Sequence, residues 1–163
     1  MRGIKPFVLA AIATGMIATT AQAREIKVGW VLPRSGGTAI LGDLMYKGGM
    51  LYYNQHKADL GGDTIKFILR DSKNPGGAVA KAAAQELIAR EKVDILTGFV
   101  FSPNAMSVAP LSSRAKVPMV IMNAGTSFIT KMSPYYARVS FTMWQSGYIM
   151  GEYAAKVLGY KTA

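Results

Sequence analysis

Strand-like and helix-patterned segments alternate along this chain, and that alternation restricts its architecture more than any single motif. Ile26 to Leu32 is an apolar run that stops at the turn residues Pro33-Arg34-Ser35-Gly36-Gly37. A helical stretch from about Leu41 to Gln55 follows, then a Gly61-Gly62 turn and a second run, Thr64 to Leu69, which ends at Arg70-Asp71. Asn74-Pro75 opens a helix in which Val79, Ala83, Leu87 and Ala80, Ala84, Ile88 form two adjacent i,i+4 columns, a narrow apolar face. The run Asp94 to Thr97, a helical segment from Pro103, the run Pro118 to Met122, a short strand near Ala137 to Ser140 and a helix from about Phe141 to Val157 complete the order. Such alternation predicts an α/β fold, a parallel sheet with helices on both faces. Two places resist it. Pro110 removes a backbone bond and predicts a kink or split between Pro103 and Ala115, and Gly48-Gly49 weakens the first helix unless the glycines permit close packing.

The richest stretch runs from Gly98 to Ser127. Each of its halves ends a β-type run and then offers small and hydroxyl-bearing residues, Ser102-Pro103-Asn104 in one and Asn123-Ala124-Gly125-Thr126-Ser127 in the other. Ligands of open α/β sheets bind in the crevice beyond the carboxyl ends of the strands. Ser102 followed by Pro103 predicts an N-cap with proline at the first helical position, a positive dipole end suited to an anion such as a carboxylate.

Residues 1–23 read as a leader rather than as fold. Arg2 and Lys5 make a short basic region, Phe7 to Thr20 is uncharged and mostly apolar, and Ala21-Gln22-Ala23 is a small-x-small cleavage site. The chain has no cysteine, so no lipid-modified cysteine stands at the cleavage point, and export of a fold without disulfides is consistent with that composition. Of 19 basic residues, removal of Arg2 and Lys5 leaves 17 against 9 acidic ones, a net charge of +8 for Arg24 to Ala163. The basic residues are scattered, with no run of three, so the charge reads as a solvated surface and not as a nucleic-acid interface. A chain of this size builds one core.

Catalytic and cofactor signatures are missing. The turn after the first strand has the wrong spacing for G-x-G-x-x-G, and there is no G-x-x-x-x-G-K-[ST], so neither a dinucleotide nor a nucleoside triphosphate cradle is expected. A lone histidine, His56, at the polar end of a helix makes no zinc site. Ser113-Arg114-Ala115-Lys116 fits S-x-x-K, but at the far end of its helix and without S-D-N or K-T-G, and no G-x-S-x-G elbow exists. Asp43, Asp71, Glu86 and Asp94 are the carboxylates that the fold alone is able to bring together. The expectation is a protein that is not an enzyme and uses no cofactor or metal.

Taken in order, Ile26-Lys27-Val28-Gly29-Trp30, Ser35-Gly36, Leu41-Gly42-Asp43, Arg70-Asp71 with Asn74-Pro75, Ala83 to Ala89, Gly98 with Ser102, Val117-Pro118, Asn123-Ala124-Gly125-Thr126-Ser127, and Arg138 with Gln145 and Gly147 resemble one family. It is the periplasmic solute-binding proteins of ABC importers in the branched-chain amino acid class, with the type I periplasmic-binding fold. The resemblance covers essentially all of Glu25 to Tyr160. It implies two α/β lobes, of which this chain holds one: a leader at 1–23, an N-terminal ligand-binding lobe at 24–139, and at 140–163 a crossover and the first helix of an otherwise missing second lobe. It also implies site residues. Ser102 stands at the family's serine after the third strand, and Ala124, Gly125 and Thr126 at its Ala-x-Thr after the fourth. The Ser102 hydroxyl and nearby N–H groups are then expected to hold a carboxylate, and the Ala124 carbonyl and Thr126 hydroxyl to accept from an ammonium or position the carboxylate. Leu41 replaces an aromatic of the first loop. Phe101, Phe141 and Trp144 bring aromatic character to the mouth, and Ser35 and Gly36 are rim positions.

The implied function is capture of an amino acid or related carboxylate in the periplasm and its delivery to a membrane permease, without chemistry on the solute. A ligand-sensing domain of the same fold is the alternative, with a secreted α/β hydrolase behind it.

Overall fold

The computed structural model describes residues 23–162, so the expected leader lies, except for Ala23, outside the described residues. A five-stranded sheet forms the centre, built from β1 (Glu25–Leu32), β2 (Thr64–Asp71), β3 (Ile95–Gly98), β4 (Met119–Ile121) and β5 (Tyr136–Arg138). The strands stand in the order β2-β1-β3-β4-β5 and every pairing is parallel. The helices are α1 (Ala39–His56), α2 (Ala78–Glu86), α3 (Ser102–Ala115) and α4 (Met143–Lys156). This is the α/β class expected from the alternation. In such a strand order the chain reverses its direction of travel across the sheet at β1/β3, which opens a crevice at their carboxyl ends.

Side-chain alternation along β1 assigns the faces. Val31 enters the main core with Ala80, Ala84, Leu87, Leu96, Ala105, Val108, Met119 and Ile121, the layer under α2 and α3. Trp30 and Leu32 point the other way, into a smaller cluster with Val100, Met45, Tyr46, Phe67 and Phe101 that α1 covers. Gly49 is what admits the Trp30 indole, because a Cβ there would lie 2.6 Å from it. Gly48, its neighbour, faces open space, so only one of the two glycines has a packing reason. Gly42 has a stricter one: a Cβ would sit 2.0 Å from the Pro33 carbonyl oxygen.

Several local readings need correction. The helix expected from Asn74-Pro75 starts at Ala78, since Gly77 at its cap holds φ +77°, a left-handed conformation that interrupts the turn. Its buried face is Ala80, Ala83, Ala84 and Leu87, while Val79 is 43% exposed and belongs to solvent. The helix α3 runs through Pro110 unsplit, with Pro110 on the exposed side. Ser102 is not the N-cap of that helix. Phe101 is, with an extended backbone at φ −102° and ψ 139°, and its carbonyl accepts from the Ala105 N–H at 3.2 Å. No described helix is long and apolar enough to cross a membrane.

Candidate functional site

Two consecutive left-handed residues shape the exit from β3. Gly98 has φ +106° and a Cβ there would meet the Val31 oxygen at 2.5 Å, so only glycine fits. Phe99, fully buried, follows at φ +62°, unusual for a bulky side chain and costing about 1–3 kcal/mol. Its backbone is held from both sides: its N–H donates to the Val31 carbonyl at 2.9 Å and its carbonyl accepts from the Ala124 N–H at 3.0 Å. This bend carries Val100 to Ser102 beyond the sheet edge and ties the end of β3 to the end of β4. The sequence gives no signal for the Phe99 conformation.

Ser102 and Thr126 meet at that edge. The Thr126 N–H donates to the Ser102 hydroxyl oxygen at 3.2 Å, across 24 residues of chain. The rest of the 124–126 loop is fixed through its carbonyls. Arg138, at the end of β5, donates from Nη1 to the Thr126 carbonyl at 2.8 Å and to the Ala124 carbonyl at 3.4 Å. The Gly125 carbonyl accepts from the Met143 N–H at 2.8 Å. The Ala124 carbonyl, expected to be open to an ammonium, therefore already has a donor, and Ala124 itself is buried. The Gly125 N–H and the Thr126 hydroxyl have no partner among the described residues, nor does the Ser102 hydroxyl proton. Each of the loop's carbonyls already accepts at least one bond while the Gly125 N–H and the two hydroxyl protons stand free, a balance that favours an anion.

The other expected residues are more dispersed. Phe101 is half-buried and packs with the Trp30 cluster. Trp144 is 63% exposed on α4 and stacks on Tyr148 with ring centroids 5.2 Å apart, and Phe141 is also exposed. Ser35 lies in the turn after β1, where its hydroxyl donates to Asp71 at 2.6 Å. Asp71 also accepts from the N–H groups of Arg34 at 2.7 Å and Lys73 at 2.8 Å. Burial acts to raise its pKa, but the Ser35 hydroxyl, the two N–H groups and the Lys73 charge together hold it below the ordinary 3.8. Arg138 was among the residues that carry the family resemblance, but its contact with the 124–126 loop was not expected. The available signal was a lone basic residue ending the last short strand at the same edge.

The carboxylates are each engaged on their own. Asp43 pairs with Lys47 at 2.7 Å, Glu86 with Arg70 at 2.9 Å, and Asp94 accepts from the Lys27 N–H at 2.7 Å. Among the described residues no group of three or more His, Cys, Asp or Glu side chains is placed to hold a metal. His56, the last residue of α1, is exposed and stacks on Tyr52.

Comparison with known proteins places this geometry. The family described as periplasmic binding protein matches residues 25–163. The Leu/Ile/Val-binding protein homolog 6 of Brucella abortus (strain 2308) is 42% identical over 144 residues, which is 88% of this chain but 37% of that protein. An ABC-transporter solute-binding protein from R. palustris, solved in complex with 4-hydroxybenzoate, is 49% identical with a TM-score of 0.72, covering 74% of this chain and 33% of the other. A leucine-binding protein from Thermotoga maritima is 28% identical with a TM-score of 0.75, covering 82% of this chain and 38% of the other. The chain thus spans about a third of the length of these relatives, which are solute-binding proteins. With the match running through every described strand and helix, the chain belongs to the periplasmic binding protein family.

Proposed function

We propose that this chain is the N-terminal ligand-binding part of an ABC-importer solute-binding protein, and that its solute is an aromatic carboxylate of the hydroxybenzoate class. The observation that carries the reading is the donor-rich loop at the end of β4, joined to Ser102 by the 3.2 Å bond from the Thr126 N–H. A carboxylate needs several converging donors, and the Ser102 hydroxyl, Gly125 N–H and Thr126 hydroxyl supply them. Accepting from Thr126 also polarises the Ser102 hydroxyl for donation. An amino acid would further need acceptors for its ammonium, and the three carbonyls of residues 124–126 each already accept at least one bond, which makes them the poorer half of the seat. The higher identity to the 4-hydroxybenzoate complex than to the leucine-binding protein supports the same choice. Phe101, Phe141 and Trp144 would offer apolar contact to a ring, and Ser35 the rim.

The proposed organisation is a cleaved leader at 1–23, a lobe at 24–139, and at 140–163 the crossover into a second lobe. Capture would proceed without chemistry: the solute docks on this lobe, closure of the second buries it, and a membrane permease receives it. Titration of the isotope-labelled chain with 4-hydroxybenzoate, followed by NMR, is the test. Amide shifts should concentrate at Ser102, Gly125 and Thr126, with leucine giving smaller ones. Affinity should be weak while only one wall is present, and Ser102→Ala should reduce it by about 1.5–3 kcal/mol, the scale of a charged hydrogen bond. Equal shifts in wild type and Ser102→Ala would remove Ser102 from the seat, and micromolar affinity would contradict the two-lobe mechanism.

A further inference from the structure

Three residues in sequence, Ala124, Gly125 and Thr126, present their carbonyls to groups outside the loop, and two of the three go to a single side chain. That side chain, Arg138, is half-buried, and no carboxylate lies within ion-pair distance of it among the described residues. A guanidinium left without an anion in such a place normally finds one, because its desolvation is costly. Here two backbone carbonyls take that role. The strand that carries it is short and at the sheet edge, with Arg138 opposite Ile121 in register, and its guanidinium reaches two carbonyls of the loop that Ser102 also holds.

We propose that Arg138 is the positioning residue of the carboxylate seat. Its two bonds hold the Ala124 and Thr126 carbonyls, and because each peptide is planar they set the opposed N–H groups of Gly125 and Ser127, the peptides on either side of the one whose Thr126 N–H reaches Ser102 and whose Gly125 carbonyl is held by Met143. Ser102 and Arg138 thus clamp one loop at successive peptides, one through an N–H and the other through carbonyls. Without Arg138 the Ala124 carbonyl loses its side-chain donor and the Thr126 carbonyl keeps only the 3.3 Å bond from the Ile129 N–H, so the loop is less firmly held and its carbonyls are able to turn toward the ligand, where they would repel its carboxylate. The inference rests on the carboxylate reading for its functional meaning, but the clamp itself is measurable without ligand.

The experiment compares wild type with R138M, which keeps much of the aliphatic length, and R138K, which keeps a cationic donor. Amide hydrogen exchange in the ligand-free chain should rise about tenfold at Thr126 in R138M while Leu96, in the core, is unchanged, and R138K should restore most of the protection. In the 4-hydroxybenzoate titration R138M should bind about tenfold more weakly than wild type, again with rescue by R138K. Should R138M fail to fold, R138Q, which is shorter and lacks the guanidinium fork, is expected to give the same rise. Unchanged exchange at Thr126, or a loss that R138K does not repair, would overturn the proposal. Absence of ligand shifts in wild type with the exchange effect intact would instead sink the carboxylate reading and leave the clamp standing.

Discussion

Asp71 shows how a single side chain organises the rim beside the proposed seat. Its carboxylate gathers the Ser35 hydroxyl and the N–H groups of Arg34 and Lys73, so the loop after β1 and the turn after β2 are fixed to one another. The bonds favour the ionised form, and the pKa lies below its ordinary 3.8. The sign follows from linkage: a depressed folded-state pKa adds stability above the unfolded value, and that stability is lost as pH falls through the folded one. Asp71→Asn should therefore destabilise the chain by about 1–2 kcal/mol near neutral pH, the partly exposed site keeping the figure low. Urea midpoints taken between about pH 6 and about pH 2 should show the gap between variant and wild type closing on the acid side. A gap that stays constant with pH would mean the carboxylate charge is irrelevant there. Ser35 was legible in the sequence as part of the turn after the first strand. Its engagement with Asp71 was not, since 36 residues separate them and neither carries a pairing signal.

At the scale of elements, legibility follows periodicity. The strands and helices were readable because β1, packed on both faces, is a continuous apolar run and α2 repeats its apolar residues every three to four positions. Boundaries were misread where glycine or a cap intervened, as at Gly77 before α2 and Phe101 before α3. The site was half-legible for the same reason. Ser102 and Thr126 follow strand ends and so fall at one edge, whereas the left-handed Phe99 and the reach of Arg138 depend on tertiary bonds that no local pattern encodes. The three glycines of α1 make the distinction measurable. Gly48→Ala adds a Cβ to open space and should stabilise by up to about 1 kcal/mol, raising the melting temperature by about 3 °C. Gly42→Ala would drive a Cβ to 2.0 Å from the Pro33 oxygen, a backbone atom that cannot swing aside, and should cost more than about 2 kcal/mol. Gly49→Ala presses on the Trp30 ring at 2.6 Å and should fall between them. Calorimetric melting of the three variants checks the order; a Gly48→Ala that melts below Gly42→Ala would reverse the packing account of this helix.

The molecule as a whole is divided between a packed sheet and a helix that packs on almost nothing. No residue of α4 is buried, and Trp144, Tyr148, Ile149 and Met150 are each more than half exposed. The helix is nevertheless well started. Thr142 and Gln145 form a capping box, and the Met143 N–H is held by the Gly125 carbonyl, so α4 is anchored at the loop of the proposed seat and bare beyond it. An apolar helix face of this extent drives association when water is its only neighbour. In the proposed organisation the second lobe covers it; in the present chain another copy is the available cover. Sedimentation should accordingly show residues 24–163 associating as concentration rises, while residues 24–140 remain single. The shorter chain should lose about 1 kcal/mol or less, because α4 gives the sheet few contacts beyond the bond at Gly125. Identical sedimentation of the two chains would show that α4 folds back onto the lobe, and the accounts of the crossover and of the Gly125 anchor would both have to be replaced.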